Sequence, residues 1–441
     1  MRAFRRNPPL TVLLNGRLVG VIHMVTSGAI SFQYDHSWLD WQYALPISRS
    51  LPLTEQAHKG AAVISYLENL LPDNQAIRER VAAKVHASGT DAYHMLEKIG
   101  RDCVGALQFV VDYDGSAPTT ELEGDNLTNS QISAILKNLA SAPLGMEEED
   151  DFRISIAGAQ EKSALLYKDG QWLRPKGMTP TTHILKTQLG VLPNGINLSD
   201  SVENEFFCMR FCREMGSDVA QVDIVDFEDT RALSIERFDR KWTKKGTLLR
   251  LPQEDFCQAM AVPPSQKYQT DGGPSITDCI DLLRGSDKPT EDQIEFFRAQ
   301  ILFWLLGATD GHAKNFSLFL RPGSGFVMTP LYDILSAQKA LDEGQVRHGQ
   351  MKLAMSVGNR NRYRLDQVAP RHFLQSAKAA GFGVTLVERL LVEIHEQAPR
   401  AIEATLTQLP ADFPIELSET IVAGITARHR LLELGLAALN A

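Results

Sequence analysis

The 441-residue chain is 44% hydrophobic and 22% charged, the balance of an ordinary globular protein long enough for two or three domains. Its formal net charge of −9 excludes a protein that coats nucleic acid with its whole surface, while leaving room for a local basic patch. No apolar run reaches the roughly 18 residues of a membrane span. The basic start Met1-Arg2-Ala3-Phe4-Arg5-Arg6 lacks the apolar core of a signal peptide, and the five cysteines have no zinc-like spacing, so buried, reduced thiols in a cytoplasmic protein are expected.

In chain order, Leu10–Leu14 and Leu18–Ile22 flank the turn signal Asn15-Gly16 and read as a hairpin. A strand at Ala29–Tyr34, a helix from Asn74 to His86 and a strand from Val104 to Val111 complete a mixed α/β module over residues 1–111. Residues 112–151 form an acidic connector with one helix, Ser130 to Ala140, and the run Glu147-Glu148-Glu149-Asp150-Asp151, which reads as a solvated face. Residues 152–253 read as a sheet with one helix. Its strands are Arg153–Ile156, Ser163–Tyr167, Thr182–Lys186, Val222–Val225 and Ala232–Phe238, and its helix is Asp200 to Met215. Residues 254–441 read as mostly helical, with helices at Asp255–Met260, Ser275–Leu283, Glu291–Gly307, His372–Ala380 and Val384–Glu396. A last helix is expected from Pro414 to Leu439, either continuous or broken. The plan is α+β and two-lobed.

Polarity concentrates where the apolar run Phe296–Leu306 ends, in Thr309-Asp310-Gly311-His312-Ala313-Lys314-Asn315-Phe316. Burying a carboxylate, an imidazole, an ammonium and an amide together is costly unless they have a task. Asp310 and Asn315 have the D-x-x-x-x-N spacing of a protein-kinase catalytic loop, and a second carboxylate, Asp333, follows in Pro330-Leu331-Tyr332-Asp333-Ile334. Asp310 is the candidate base for a substrate hydroxyl; Asn315 and Asp333 are hard oxygen ligands suited to Mg²⁺. His312, Ala313, Lys314 and Tyr332 would line the nucleotide beside them, His312 equally reading as a satisfied core histidine.

Three upstream features complete a phosphate site. The turn Ala157-Gly158-Ala159-Gln160-Glu161-Lys162 is small enough for backbone N–H groups to approach phosphate oxygens, although one glycine in a turn is ordinarily just a turn. Lys186 ends an apolar strand within reach of α- or β-phosphates, and Glu205, in the following helix, is its candidate ion-pair partner. Glu236, Arg237 and Phe238 stand where an adenine-holding hinge belongs. The segment Val346 to Phe373 carries Arg347, Lys352, Arg360, Arg362, Arg364 and Arg371 against Asp366 alone. It reads as a DNA-backbone surface, a solvated loop, or clamps for nucleotide phosphates.

These motifs resemble the HipA toxin kinases of bacterial toxin–antitoxin modules, and the branch resembled is the enterobacterial one. The likeness runs through Leu70-Leu71-Pro72-Asp73, Ile99-Gly100-Arg101-Asp102, Phe152 to Lys162, Lys176 to His183, Leu251-Pro252-Gln253-Glu254-Asp255, Thr309 to Phe316 and Tyr332-Asp333. The resemblance implies a distant protein-kinase-like, phosphoinositide-kinase-like fold and a serine/threonine kinase that uses ATP and Mg²⁺. It implies Asp310 as catalytic base, Asn315 and Asp333 as magnesium ligands, Lys186 as the phosphate lysine, Ala157 to Lys162 as the phosphate loop and Glu236 to Phe238 as the adenine hinge. Ser155 matches the serine that family members autophosphorylate, which inactivates them; phosphate there would repel a loop built for ATP phosphates. A HipB-type helix-turn-helix antitoxin dimer, operator DNA bound mainly through it, and glutamyl-tRNA synthetase as substrate are the implied partners. The family's two DNA-contacting positions correspond to Lys378, which stands, and Gly381, which carries no side chain. A co-repressor scaffold without catalysis and a small-molecule kinase are the alternatives.

Overall fold

The structure, a computed structural model, describes residues 7–111, 113–115, 121–139, 162–192 and 194–439. The chain divides into two units: Met1–Thr187 with Val225–Ser265 and Leu318–Phe326, and Gln188–Ile224 with Gln266–Ser317 and Val327–Ala441.

The first unit begins with the expected hairpin. Strands Leu10–Leu14 and Arg17–Met24 are joined by Asn15-Gly16 at φ 46° and 82°, the left-handed pair that a two-residue hairpin turn needs. A five-stranded sheet grows from it in the order His58–Lys59, Ile30–Tyr34, Arg17–Met24, Leu10–Leu14, Leu107–Val110. Its apolar side is closed by buried Val12, Phe32, Trp38, Tyr66, Leu71 and Phe109. Helix Gln75–Lys84 starts where Asn74 accepts from the Ala76 and Ile77 amides, and helix Ala92–Ile99 likewise from Asp91. A second sheet has six strands in the order Val222–Phe227, Thr230–Glu236, His183–Thr187, Lys162–Lys168, Gln171–Pro175, Gly124–Leu127. Helix Asn129–Lys137 covers one face, packing Ile132 and Leu136 on Leu165, Leu185 and Ala232.

A buried ion cluster ties the early module to this second sheet. Asp102 accepts from Arg240 at 2.8 Å, Arg250 at 3.0 Å and Arg237 at 3.4 Å, while Asp239 accepts from Arg237 and Arg240 at 2.8 and 2.9 Å. Burial alone would raise the Asp102 carboxyl, but the guanidinium groups of Arg240, Arg250 and Arg237 outweigh it and hold the group well below the carboxylate range. The Thr181 amide at 3.0 Å fills a further acceptor position.

The second unit is built on helix Pro289–Leu306, with proline in its first turn beside Glu291 and Asp292 and with Gly307 at φ 68° ending it. From Phe296 to Leu306 every residue of this helix is buried, so it is the core and not a covering layer. Helices Ser201–Glu214, Ile276–Leu283, Val384–Thr407 and Ile415–Leu439 pack on it. Two segments differ from the sequence expectation. The helix expected to stop at Glu396 runs on to Thr407 through Pro399, because the buried stripe Ile394, Ala398, Ala401, Thr405 continues past the proline. The last helix, which the sequence allows to be continuous or broken, runs unbroken from Ile415 to Leu439. The basic segment also contains a hairpin, Lys352–Val357 paired with Arg362–Arg364, within a half expected to be mostly helical. All five cysteines are buried thiols. Among the described residues no helix is long and apolar enough to cross a membrane. The fold class is α+β.

Candidate active site

The site in the second unit starts at the C-terminus of the core helix. Gly307 reverses the chain, its amide donating to Trp304 O at 3.2 Å, and a β-carbon on it would stand 3.1 Å from the Arg428 guanidinium. Four residues on, Gly311 lies against the Phe303 ring so closely that a β-carbon would fall 2.3 Å from it. The loop is thus seated on the core by two glycines, one on either side of Asp310.

Asp310 then stands half-exposed, its side chain 56% accessible. Its carbonyl accepts from the Asn315 side-chain amide at 2.7 Å and from the His312 backbone at 2.8 Å. The same Asn315 amide reaches the Asp333 carbonyl at 3.5 Å. With its nitrogen committed to two carbonyls, Asn315 has its carboxamide oxygen left to offer a cation. Asp333 is at φ 61°, in the left-handed region, a strained setting that fixed neighbours must maintain. Those neighbours are Tyr332, whose hydroxyl donates to Lys314 O at 2.8 Å and bonds Ser317 Oγ at 2.6 Å, and Leu331, whose amide donates to Asp218 O at 2.8 Å. Asp310, Asn315 and Asp333 are brought together through the Asn315 amide, and the Tyr332 hydroxyl ties in the Lys314 carbonyl, their neighbour in the chain.

His312 is 4% exposed, with Nε2 3.8 Å from Asp310 Oδ1. Burial, then the positive charge of Lys267 and more weakly of Lys314, pushes its pKa down to about 3 against the opposing pull of Asp333, so the imidazole is neutral. Its buried Nδ1 has no hydrogen-bond partner among the described residues. An orphaned buried nitrogen beside two hard oxygen donors is what a site leaves for an incoming polar group. Among the described residues no three His, Cys, Asp or Glu side chains cluster as a metal cage. A site of one carboxylate and one amide instead suits Mg²⁺, which keeps waters and takes its remaining oxygens from phosphate. The residues therefore fit a magnesium nucleotide.

The other expected residues fall in the first unit. Lys162 and Lys186 are cross-strand partners, 6% and 5% exposed. Cross-strand neighbours share a face of the sheet, so the two ammonium groups rise from the same side. Glu236 ends its strand exposed, and the half-buried Phe238 ring meets Phe319 edge-on at 5.8 Å. Arg237 differs from its neighbours: its guanidinium is turned into the buried ion cluster, and its amide donates to Thr182 O at 2.8 Å. Ser155 and the loop residues Ala157, Gly158, Ala159, Gln160 and Glu161 lie outside the described residues. Glu205 is buried in helix Ser201–Glu214 of the second unit. Lys378 is exposed on helix Pro370–Ala379, and Gly381, at φ 62°, follows the end of that helix.

One side chain at the site is not indicated by any motif spacing. Tyr268 donates its hydroxyl to Asp310 Oδ1 from a loop 42 residues upstream. The cue available in the sequence is only the turn pair Gly272-Gly273 a few residues on.

The chain matches the profile of the HipA N-terminal domain over residues 10–110 and that of the HipA-like C-terminal domain over residues 154–404. It is 33% identical over 401 residues to Y4mE of Sinorhizobium fredii, a protein named as a kinase, covering 90% of this chain and 91% of that one. It is 28% identical over 393 residues to the serine/threonine-protein kinase toxin HipA of Shewanella oneidensis, covering 85% and 84%. The solved complex of Shewanella oneidensis HipA with HipB and operator DNA superposes with a TM-score of 0.79 at 24% identity, over 97% of this chain and 99% of that one, and this places the fold with the two-lobed, kinase-like HipA architecture. The chain belongs to the HipA family and carries both of its domains.

Proposed function

We propose that this HipA-family protein is a Mg²⁺·ATP-dependent serine/threonine protein kinase that acts as the toxin of a toxin–antitoxin pair. The observation that carries the reading is the convergence of Asp310, Asn315 and Asp333 through one amide, 2.7 and 3.5 Å from the two backbone carbonyls it joins. A bound magnesium ion would draw negative charge off the γ-phosphate and align it for transfer. The chain's part is positional: Asn315 and Asp333 hold the metal, and Asp310 orients the substrate hydroxyl and takes its proton. Neutral His312 adds no positive charge beside that carboxylate. Lys162, Lys186 and the loop 157–161 hold phosphates, with Glu236 and Phe238 at the base.

The relatives support the reading in kind: one is named a serine/threonine-protein kinase toxin, and the solved neighbour is a complex with HipB and operator DNA. A HipB-type antitoxin, operator binding mainly through that partner, self-inactivation at Ser155 and glutamyl-tRNA synthetase as substrate complete the proposal. Direct DNA contact through Lys378 is weakened by Gly381, which leaves the second family position without a side chain. Phosphoproteomics after brief induction tests the function. Wild type should add phosphoserine to a translation component and Asp310→Asn should not; identical phosphoproteomes would contradict it.

A further inference from the structure

We infer that Tyr268 is a positioning residue for the catalytic base: its hydroxyl, donated to Asp310 Oδ1, fixes the carboxylate so that the other oxygen meets the substrate hydroxyl. The inference rests on the kinase reading above and goes beyond it, because no kinase motif supplies this tyrosine.

The tyrosine is held from several directions. Its ring stands edge-on to His312, with centroids 4.8 Å apart at 87°. The preceding carbonyl, Lys267 O, accepts from the Ala313 amide at 3.3 Å, so backbone and side chain both dock on the catalytic loop. On the far side, Gln269 accepts from the Ser356 amide at 2.7 Å. The loop closes on itself through Gly273, whose amide donates to Tyr268 O at 3.0 Å, and a β-carbon there would fall 2.0 Å from Gln266 O. Gly272, at φ 91°, takes the left-handed turn that permits this closure. A loop so constrained presents the hydroxyl at a set point.

The Asp310 side chain is more than half exposed, and general-base catalysis demands one orientation of it. A hydrogen bond to an ionised carboxylate is among the stronger polar contacts available for selecting it. The alternative occupant of a base's acceptor oxygen is the substrate itself, which would make Tyr268 a plug that has to leave. Its docking through ring, carbonyl and loop closure favours the fixed role.

Tyr268→Phe keeps the ring on His312 and removes only the hydroxyl. In the full chain, with a serine peptide and Mg²⁺·ATP, kcat should fall about tenfold or more while KM for ATP and thermal stability stay within error. Crystals of the variant should show Asp310 in more than one rotamer, a readout that stands even if the wild type transfers no phosphate and the kinase reading itself fails. A rise in kcat or a fall in peptide KM would identify a plug and overturn the inference, as would phosphate found on Tyr268. Wild-type kcat together with a single, unchanged Asp310 rotamer would also overturn it.

Discussion

His312 shows how a single residue's surroundings decide its chemistry. In sequence it is one polar residue among five and reads equally well as a core histidine. In the fold its burial and the cations near it keep it uncharged, at about 3 against an ordinary 6.5. The sign of the consequence follows from linkage. Between those values the unfolded chain holds a proton that the folded chain refuses, so His312 contributes stability fully present above about pH 6.5 and lost as pH falls toward 3. Unfolding free energies from urea titrations of wild type and His312→Gln between pH 8 and pH 5 should therefore diverge, the wild type losing more on acidification, by up to about 2 kcal/mol. Parallel curves would show that the imidazole titrates normally. That Asp310, Asn315 and Asp333 belong together was legible from spacing and residue type, and the Asn315 amide joins the other two through their carbonyls; the roles of base and magnesium ligands belong to the proposed function. Tyr268 was not legible, because the contact is made across 42 residues and leaves no local pattern.

Elements place these residues by close contact. The catalytic loop depends on the absence of a side chain at Gly311, where the Phe303 ring, itself only 3% exposed, forms a wall. Gly311→Ala should push the loop off the helix end. Activity should drop by about a hundredfold, because a displacement near 1 Å at a reacting group has that effect, while the melting temperature changes little. Retained activity would show that the loop tolerates the shift. In the first unit the comparable dependence is electrostatic. Asp102→Ala leaves Arg237, Arg240 and Arg250 buried with only Asp239 among them, and should cost about 3–5 kcal/mol in urea unfolding. A loss below about 1 kcal/mol would mean that water compensates the cluster. The hairpin at Asn15-Gly16, the helix that starts at Asn74 and the core helix followed from turn chemistry and periodicity, whereas the helix Ala92–Ile99 did not. The continuation of a helix through Pro399 and the hairpin Lys352–Val357 with Arg362–Arg364 did not, since tertiary packing overrode a local breaker in one and charge masked strand alternation in the other.

For the whole molecule, the candidate machinery is divided. Lys162, Lys186, Glu236 and Phe238 belong to one unit, and Asp310, Asn315, Tyr332 and Asp333 to the other. Both family domains are present over residues 10–110 and 154–404, so the chain has the complement of parts that a HipA protein uses. On the proposed function, magnesium dependence follows from the donor set, because one amide and one carboxylate, Asn315 and Asp333, are too few to bind a metal firmly without phosphate oxygens. Phosphate transfer and nucleotide binding should accordingly lose their Mg²⁺ dependence together in Asp333→Ala. The most direct measurement is the intact mass of the purified chain after incubation with ATP and Mg²⁺. Wild type should gain one phosphate, mapping to Ser155, with the rate falling by about 10²–10⁴ in Asp310→Asn at unchanged melting temperature. A wild-type mass that stays unmodified with no phosphate passed to any added protein, or equal transfer by the Asp310 variant, would contradict the account.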